Sequence, residues 1–359
     1  MRLAVVAITR NGALLGRKLQ FGLAGAELYV SRRYAGQAGP IGRPFDPEEL
    51  RQLVRSLWHG CDAFVFIMAT GIVVRIVAPF LESKERDPAV VVMDDAGTFA
   101  ISLLSGHLGG ANELAERCAF ISGARPVITT ATDANGLPSF DMLARENGWA
   151  IDDLSRVKTL NRLMLDGERI AVVDPGGRTR SWFHGRANLE FFDTFSQALE
   201  SGAAGHLFVT NRHLPPQTRP PNLLLLRPRN LVLGIGCNRD TPLEEIDEFI
   251  SAHMRRLFLS LKSVCRIGTA TAKRDEAGLL AFAERHGIPI SFYDSCELNL
   301  VTVPSQPSSH AMAAIGATGV AEPAALLASG GGRLLLKKVK SANVTLAVAE
   351  MNGGEIDQS

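Results

Sequence analysis

Apolar and polar positions along the chain alternate between two kinds of run. Short continuous apolar stretches, such as Leu3 to Thr9, "AFVFIM" and "AVVVMD", read as strands, the first of them buried. Between them lie stretches with helical spacing, residues 12–20 and then Asp46 to about Trp58. In the second of these Asp46 is placed to cap, Pro47 suits the first helical position, and Glu48 and Glu49 suit the positive helix end. Residues 26–30 predict a further strand, and "DAFVFIMATG" predicts a strand that delivers Thr70 and Gly71 into the helix "IVVRIVAPF". Repeated strand-then-helix units of this kind imply an α/β fold with parallel sheets.

Residues 89–121 break the repetition. "AVVVMD" and "TFAISLL" are joined by Asp95-Ala96-Gly97, the turn chemistry of a hairpin, and the alternation of Phe99, Ile101 and Leu103 with Thr98, Ala100 and Ser102 predicts one buried face. Ser105, Gly106 and His107 then fall just past the strand, in a glycine-lined loop that leads into a helix from about Gly110 to Ile121. Bare backbone N–H groups at such a helix start favour a negatively charged ligand. The next segment, "RPVITTATD", predicts a strand whose carboxyl end carries Thr129, Thr130, Thr132 and Asp133, a second polar cluster where open α/β sheets bind ligands.

Beyond Asp133 the pattern predicts one helical stretch over about 139–166, a strand at "RIAVVD", a helix near 190–200 and a strand at "HLFVTN". The proline-rich "RHLPPQTRPPN", 212–222, reads as an extended linker or long loop. These divisions give an N-terminal domain 1–135, a middle domain with linker 136–222, and a C-terminal domain 229–350. The last opens on the buried strand Leu231 to Gly236, followed by Thr241-Pro242-Leu243-Glu244, a capping box with proline at the first helical position. Gly234 and Gly236 suggest a dinucleotide fingerprint, but position 239 is Arg where the third glycine belongs, which disfavours a transferase using a nucleotide cofactor.

With 46% hydrophobic and 21% charged residues, the 359-residue chain has ample apolar surface for two or three cores. No apolar stretch approaches the roughly 18 residues of a membrane span, and the start of the chain lacks the longer apolar region and cleavage site of a signal peptide, so the cytoplasm is expected. A formal net charge of +1 leaves no basic field for nucleic acid. The five cysteines show no paired or Cys/His spacing of the kind a structural metal requires.

Four segments, "ISLLSGHLGGANELA", "PVITTATD", "LVLGIGC" with the downstream "VAEPAALLAS", and "KSANVTLAVA", together resemble the CbiG family of cobalamin biosynthesis proteins, and the C-terminal part alone is similar to the CobE family. The resemblance implies a multi-domain α/β fold: a Rossmann-like N-terminal unit, a small middle unit and a CobE-like C-terminal domain. It also implies a cobalt-precorrin-5A hydrolase, which opens the δ-lactone of a ring-contracted cobalt tetrapyrrole and releases acetaldehyde. The alternative is a binder that carries unstable corrinoid intermediates without turning them over, with transient contacts to neighbouring pathway enzymes. Cobalt would arrive inside the substrate, so no cofactor or resident metal is expected.

That chemistry needs an activated water, an oxyanion donor and proton transfers, for which His107 is the first candidate and Ser105 the second. The N–H groups of Gly109 and Gly110 are candidates for binding a carboxylate or the developing oxyanion. Asn112, Thr70, Gly71, Thr130, Asp133, Gly236, Cys237, Arg239 and Glu322 are candidates for contacts to the substrate. Its acetate and propionate groups call for cations, with Arg10, Arg75, Arg125, Arg239, Lys337 and Lys340 at predicted strand ends or loops.

Overall fold

A computed structural model describes residues 2–83, 86–215, 217 and 219–352. The chain divides into two compact units, Met1–Met142 and Leu143–Ser359. The first holds one seven-stranded sheet built from β1 (Leu3–Ala7), β2 (Ala26–Ser31), β3 (Arg43–Phe45), β4 (Ala63–Ile67), β5 (Ala89–Met93), β6 (Phe99–Leu104) and β7 (Arg125–Val127), in the order β3-β2-β1-β4-β5-β6-β7. The first five strands run parallel in Rossmann-like order. Alternate residues of β1 enter two different cores: Leu3, Val5 and Ala7 pack with Leu19 and Cys118, whereas Ala4 and Val6 pack with Val54, Trp58 and Val73. Helices therefore cover both faces, which is why these strands read as unbroken apolar runs.

The hairpin forms as its turn predicts, with β6 antiparallel to β5 and β7 parallel to β6. Its buried face differs from the expected one: Ala100 is fully buried while Phe99 is exposed. The register slips where Ser102 pairs with Val91 and Leu104 with Val90, so Leu103 is an extra residue and the strict alternation fails. The reversal of β6 has a larger consequence. Leu104 lies opposite Val90 at the start of β5, so the loop leaving β6 emerges at the sheet edge where the parallel strands begin. Thr70 and Gly71, which follow β4, sit at the other edge, and so does Arg125, which opens β7.

The second unit holds two five-stranded sheets. One consists of β8 (Ala150–Ile151), β9 (Ile170–Val173), β10 (Leu189–Phe191), β11 (Gly205–Val209) and β12 (Leu223–Arg227), in the order β10-β9-β11-β12-β8. The predicted helix over 139–166 is two helices, Phe140–Glu146 and Leu154–Leu165, because Gly148 turns left-handed (φ +62°) and β8 intervenes before Asp153 caps the second. The helix predicted near 190–200 is β10 followed by Phe195–Glu200, capped by Thr194. The described residues within 212–222 lead into β12, and Arg219 among them donates to the Leu214 carbonyl and pairs with Asp152. Fully buried Arg227 joins the same carboxylate.

The other sheet consists of β13 (Leu231–Cys237), β14 (Val264–Ala270), β15 (Ile290–Tyr293), β16 (Arg333–Lys340) and β17 (Val344–Glu350), in the order β15-β14-β13-β17-β16. The capping box expected at Thr241 does not form: Thr241 donates its hydroxyl to the Asn238 carbonyl, and the helix Leu243–Arg256 starts after Pro242 without a side-chain cap. Asp46 likewise caps nothing, being paired instead with Arg32. A capping box does occur at Asp294 and Glu297. Among the described residues no helix is long and apolar enough to cross a membrane.

Candidate active site

At the edge reached by β6 and β7, four backbone segments converge on one imidazole. Ser105 turns left-handed (φ +56°) as the chain leaves β6, its hydroxyl donating to the Asp87 carbonyl ahead of β5. The loop then folds back on itself. Gly109 crosses so close to Ser105 that a Cβ there would lie 2.4 Å from the serine Cβ, which leaves glycine as the residue that fits. The turn carries His107 inward, its side chain only 13% exposed.

Each nitrogen of that ring meets a carboxylate. Nδ1 lies 3.1 Å from Asp141 Oδ2 and Nε2 lies 2.7 Å from Asp133 Oδ2, with Thr132 Oγ1 at 3.2 Å from Nε2. Carboxylate oxygens only accept, so both bonds are made when the ring carries a proton on each nitrogen. The hydrogen bond to Asp141, opposed by burial and aided by the bond to Asp133, holds the imidazole pKa above its ordinary value.

Asn112 braces the cluster from the helix Ala111–Ser122: its Oδ1 accepts from Ser102 Oγ at 2.6 Å, and its Nδ2 donates to Thr130 Oγ1 and Asp133 Oδ2, each at 3.1 Å. The predicted strand "RPVITTATD" ends early, at Val127. Residues Ala131–Ala134 form a helical turn instead, which puts Thr132 and Asp133 side by side against the ring.

The structure thus brings together His107, Asn112, Thr130 and Asp133 of the expected residues. Asp141 has no signal in the sequence: it lies 34 positions from His107, beyond residue 135, in the first turn of a helix with no polar motif around it. Of the two donors expected to bind an anion at the helix start, Gly110 N–H donates to the His107 carbonyl, and behind it Ala111 N–H and Asn112 N–H donate to the Ser105 and Gly106 carbonyls. Ser105 likewise gives its hydroxyl proton to a carbonyl and acts as a tie for the loop.

Thr70 and Gly71 are not part of this cluster, lying at the opposite sheet edge, where the Gly71 carbonyl accepts from Arg75. Arg10 opens the helix Arg10–Gly22 at that same edge. In the second unit, Gly236 and Cys237 close β13 opposite Thr345 and Val344, and burial pushes the Cys237 thiol up, away from a reactive thiolate. Arg239 is paired with Asp275 at 2.8 Å and Glu276 at 3.2 Å. Glu322 is buried and accepts from Ser305 Oγ and Lys338 N–H. Lys337 and Lys340 lie along β16. Among the described residues no group of three or more His, Cys, Asp or Glu is arranged to hold a metal ion.

The chain is a parallel-rich α/β protein of three sheets, with an imidazole held between two carboxylates at a loop edge. Three family models match the chain in order: Cobalamin synthesis G N-terminal over residues 52–133, Cobalamin biosynthesis central region over 138–228, and Cobalamin synthesis G C-terminus over 231–349. A cobalt-precorrin-5A hydrolase of Priestia megaterium is 38% identical, covering 96% of this chain and 94% of its own length. That of Salmonella typhimurium is 34% identical over 85% and 86%. Protein CobE of Sinorhizobium sp is 34% identical over 33% of this chain and 79% of its own. The chain belongs to the CbiG family.

Proposed function

We infer that the chain is a cobalt-precorrin-5A hydrolase. It adds water across the δ-lactone of its corrinoid substrate and expels the extruded carbon with its methyl group as acetaldehyde. The observation that carries this reading is the 38% identity to a relative of that name along nearly the whole chain. The reaction consumes one water and needs no oxidant. Lactone opening requires a base for the water and an acid for the leaving alkoxide, while loss of the two-carbon fragment requires removal of the hydroxyl proton and protonation of the ring carbon left behind. The cluster of His107, Asp133 and Asp141 is the proton-transfer centre on this reading. It joins one exposed carboxylate to a buried one through an imidazole. Cobalt is part of the substrate, held by the macrocycle.

The test is acetaldehyde release from cobalt-precorrin-5A, followed with the protein as purified and with His107→Ala. Removing the imidazole disrupts the proton-transfer cluster and is expected to slow release by as much as the factor of about 10²–10⁴ that such a centre usually contributes. A protein that binds the corrinoid but releases no acetaldehyde would be a carrier. A His107→Ala variant that turns over normally would move the chemistry elsewhere.

A further inference from the structure

The three side chains of the cluster are not equivalent in what they can reach. Asp141 is 9% exposed and His107 13%, whereas Asp133 is 42% exposed. Both nitrogens of the ring already face carboxylates, so the imidazole meets a substrate only after one of these bonds is broken. Asp133 needs no such rearrangement. The hydrogen bonds described for its side chain, from His107 Nε2 and Asn112 Nδ2, both fall on Oδ2. With its side chain 42% exposed, Asp133 has Oδ1 clear of the two bonds described.

Resting on the hydrolase reading above, we propose that Asp133 is the catalytic residue that exchanges protons with water and substrate, and that His107 is a positioning residue, held by Asp141 and aiming the Asp133 carboxylate.

The hydrogen-bond geometry supports this division. Asn112 Nδ2 reaches the same Oδ2 at 3.1 Å, so two side chains hold that oxygen in place.

The proton balance closes on this one group. Asp133 Oδ1 takes a proton from water as the water oxygen bonds to the lactone carbonyl carbon. The acyl C–O bond then breaks, and the same proton returns to the departing alkoxide. In the second stage Asp133 takes that hydroxyl proton as the C–C bond breaks, the C=O of acetaldehyde forms, and the electron pair remains on the ring carbon. Asp133 delivers the proton to that carbon. One carboxylate serves twice as base and twice as acid, and ends as it began.

Asp133→Asn keeps the size of the side chain and removes its basicity, and Asp133→Ser provides a second, smaller replacement. Both are expected to lower kcat by about 10²–10⁴-fold while KM stays within about threefold, since the change falls on transition-state and not ground-state interactions. Added formate, which supplies a free carboxylate, is expected to restore at least part of the turnover of Asp133→Ser. Turnover within a few-fold of the parent in either variant would overturn the assignment, and so would a loss that appears wholly in KM or one that formate leaves untouched. The parent protein in the same assay separates the two readings. If the parent releases no acetaldehyde, the hydrolase reading fails. If parent and Asp133→Asn both release it, the assignment of Asp133 alone fails.

Discussion

The loop leaving β6 and the strand end at β13 both carry closely spaced glycines, in "LLSGHLGGAN" and "LVLGIGCNRD", and the structure uses them for different ends. At the first, glycine permits the chain to cross itself: Gly109 passes over Ser105, and the compact turn aims His107 at two carboxylates. At the second, glycine permits a helix to lie against a sheet. A Cβ on Gly234 would fall 1.8 Å from the Ala321 carbonyl oxygen and one on Gly268 2.4 Å from that of Ala324, so the helix Ala321–Ala328 packs its backbone directly on β13 and β14. Its buried face is accordingly built of Ala321, Ala324, Ala325 and Ala328. Glycine spacing in a sequence therefore reports that something approaches the backbone closely, without saying whether it is the chain's own packing or a ligand.

The largest effect expected from this contrast is on stability at β13. Gly234→Ala places a methyl group against helix backbone, which cannot rotate away as a side chain can, and should cost at least the ~3 kcal/mol at the upper end of overpacking penalties. Gly109→Ala meets the Ser105 side chain and, at 2.6 Å, its carbonyl oxygen within one loop and not a helix packed on a sheet, so it should cost less stability but displace His107 and lower turnover. Urea unfolding and acetaldehyde release, measured on both variants, would break the comparison if Gly234→Ala were as stable as the parent or Gly109→Ala as active.

A smaller effect is expected at Glu322, whose buried carboxylate accepts from Ser305 Oγ at 2.8 Å and Lys338 N–H at 2.9 Å. If its part in the helix–sheet contact is that of an acceptor, Glu322→Gln keeps the oxygen and should change stability by less than about 1 kcal/mol, while Glu322→Ala strands both donors and should cost about 1–3 kcal/mol. Equal losses in the two variants would show that the negative charge itself is what the site requires.

The sequence carries much of this site because most of its members sit at strand ends. His107, Asn112, Thr130 and Asp133 follow β6 and β7 within a few residues, in runs whose polar character stands out against apolar strands. The hairpin turn at Asp95-Ala96-Gly97 is equally legible, and from the reversal it imposes it follows that Thr70 and Gly71 belong to the opposite sheet edge. Asp141 is different. Its place depends on how the chain returns after Ala134, a tertiary fact with no local periodicity, and its neighbours Phe140, Leu143 and Ala144 read only as one buried helix face. The Gly110 N–H is taken up within the loop for a similar reason: nothing in the glycine pattern says that the His107 carbonyl will reach it.

The smallest effect expected is a pH dependence confined to the His107 cluster. Because its neighbouring carboxylates raise the imidazole pKa in the folded protein, folding favours the protonated ring. The stability this contributes is fully present below the unfolded value of about 6.5 and is lost as pH rises through the raised folded value. The parent should therefore lose stability relative to His107→Gln between about pH 6.5 and the folded value, since the glutamine does not titrate and the remaining groups of the first unit are common to both proteins. Buried Trp58 reports on that unit alone once the other two tryptophans, Trp149 and Trp182, are replaced by Phe. Urea unfolding followed by its fluorescence at a series of pH values gives the difference directly. A flat difference would mean that the ring titrates alike in both states and that the two carboxylates do not hold it protonated. A difference that grows in the opposite direction, with the parent gaining stability as pH rises, would mean that the folded protein prefers the neutral ring, and the cluster would then have to carry its shared proton on a carboxylate.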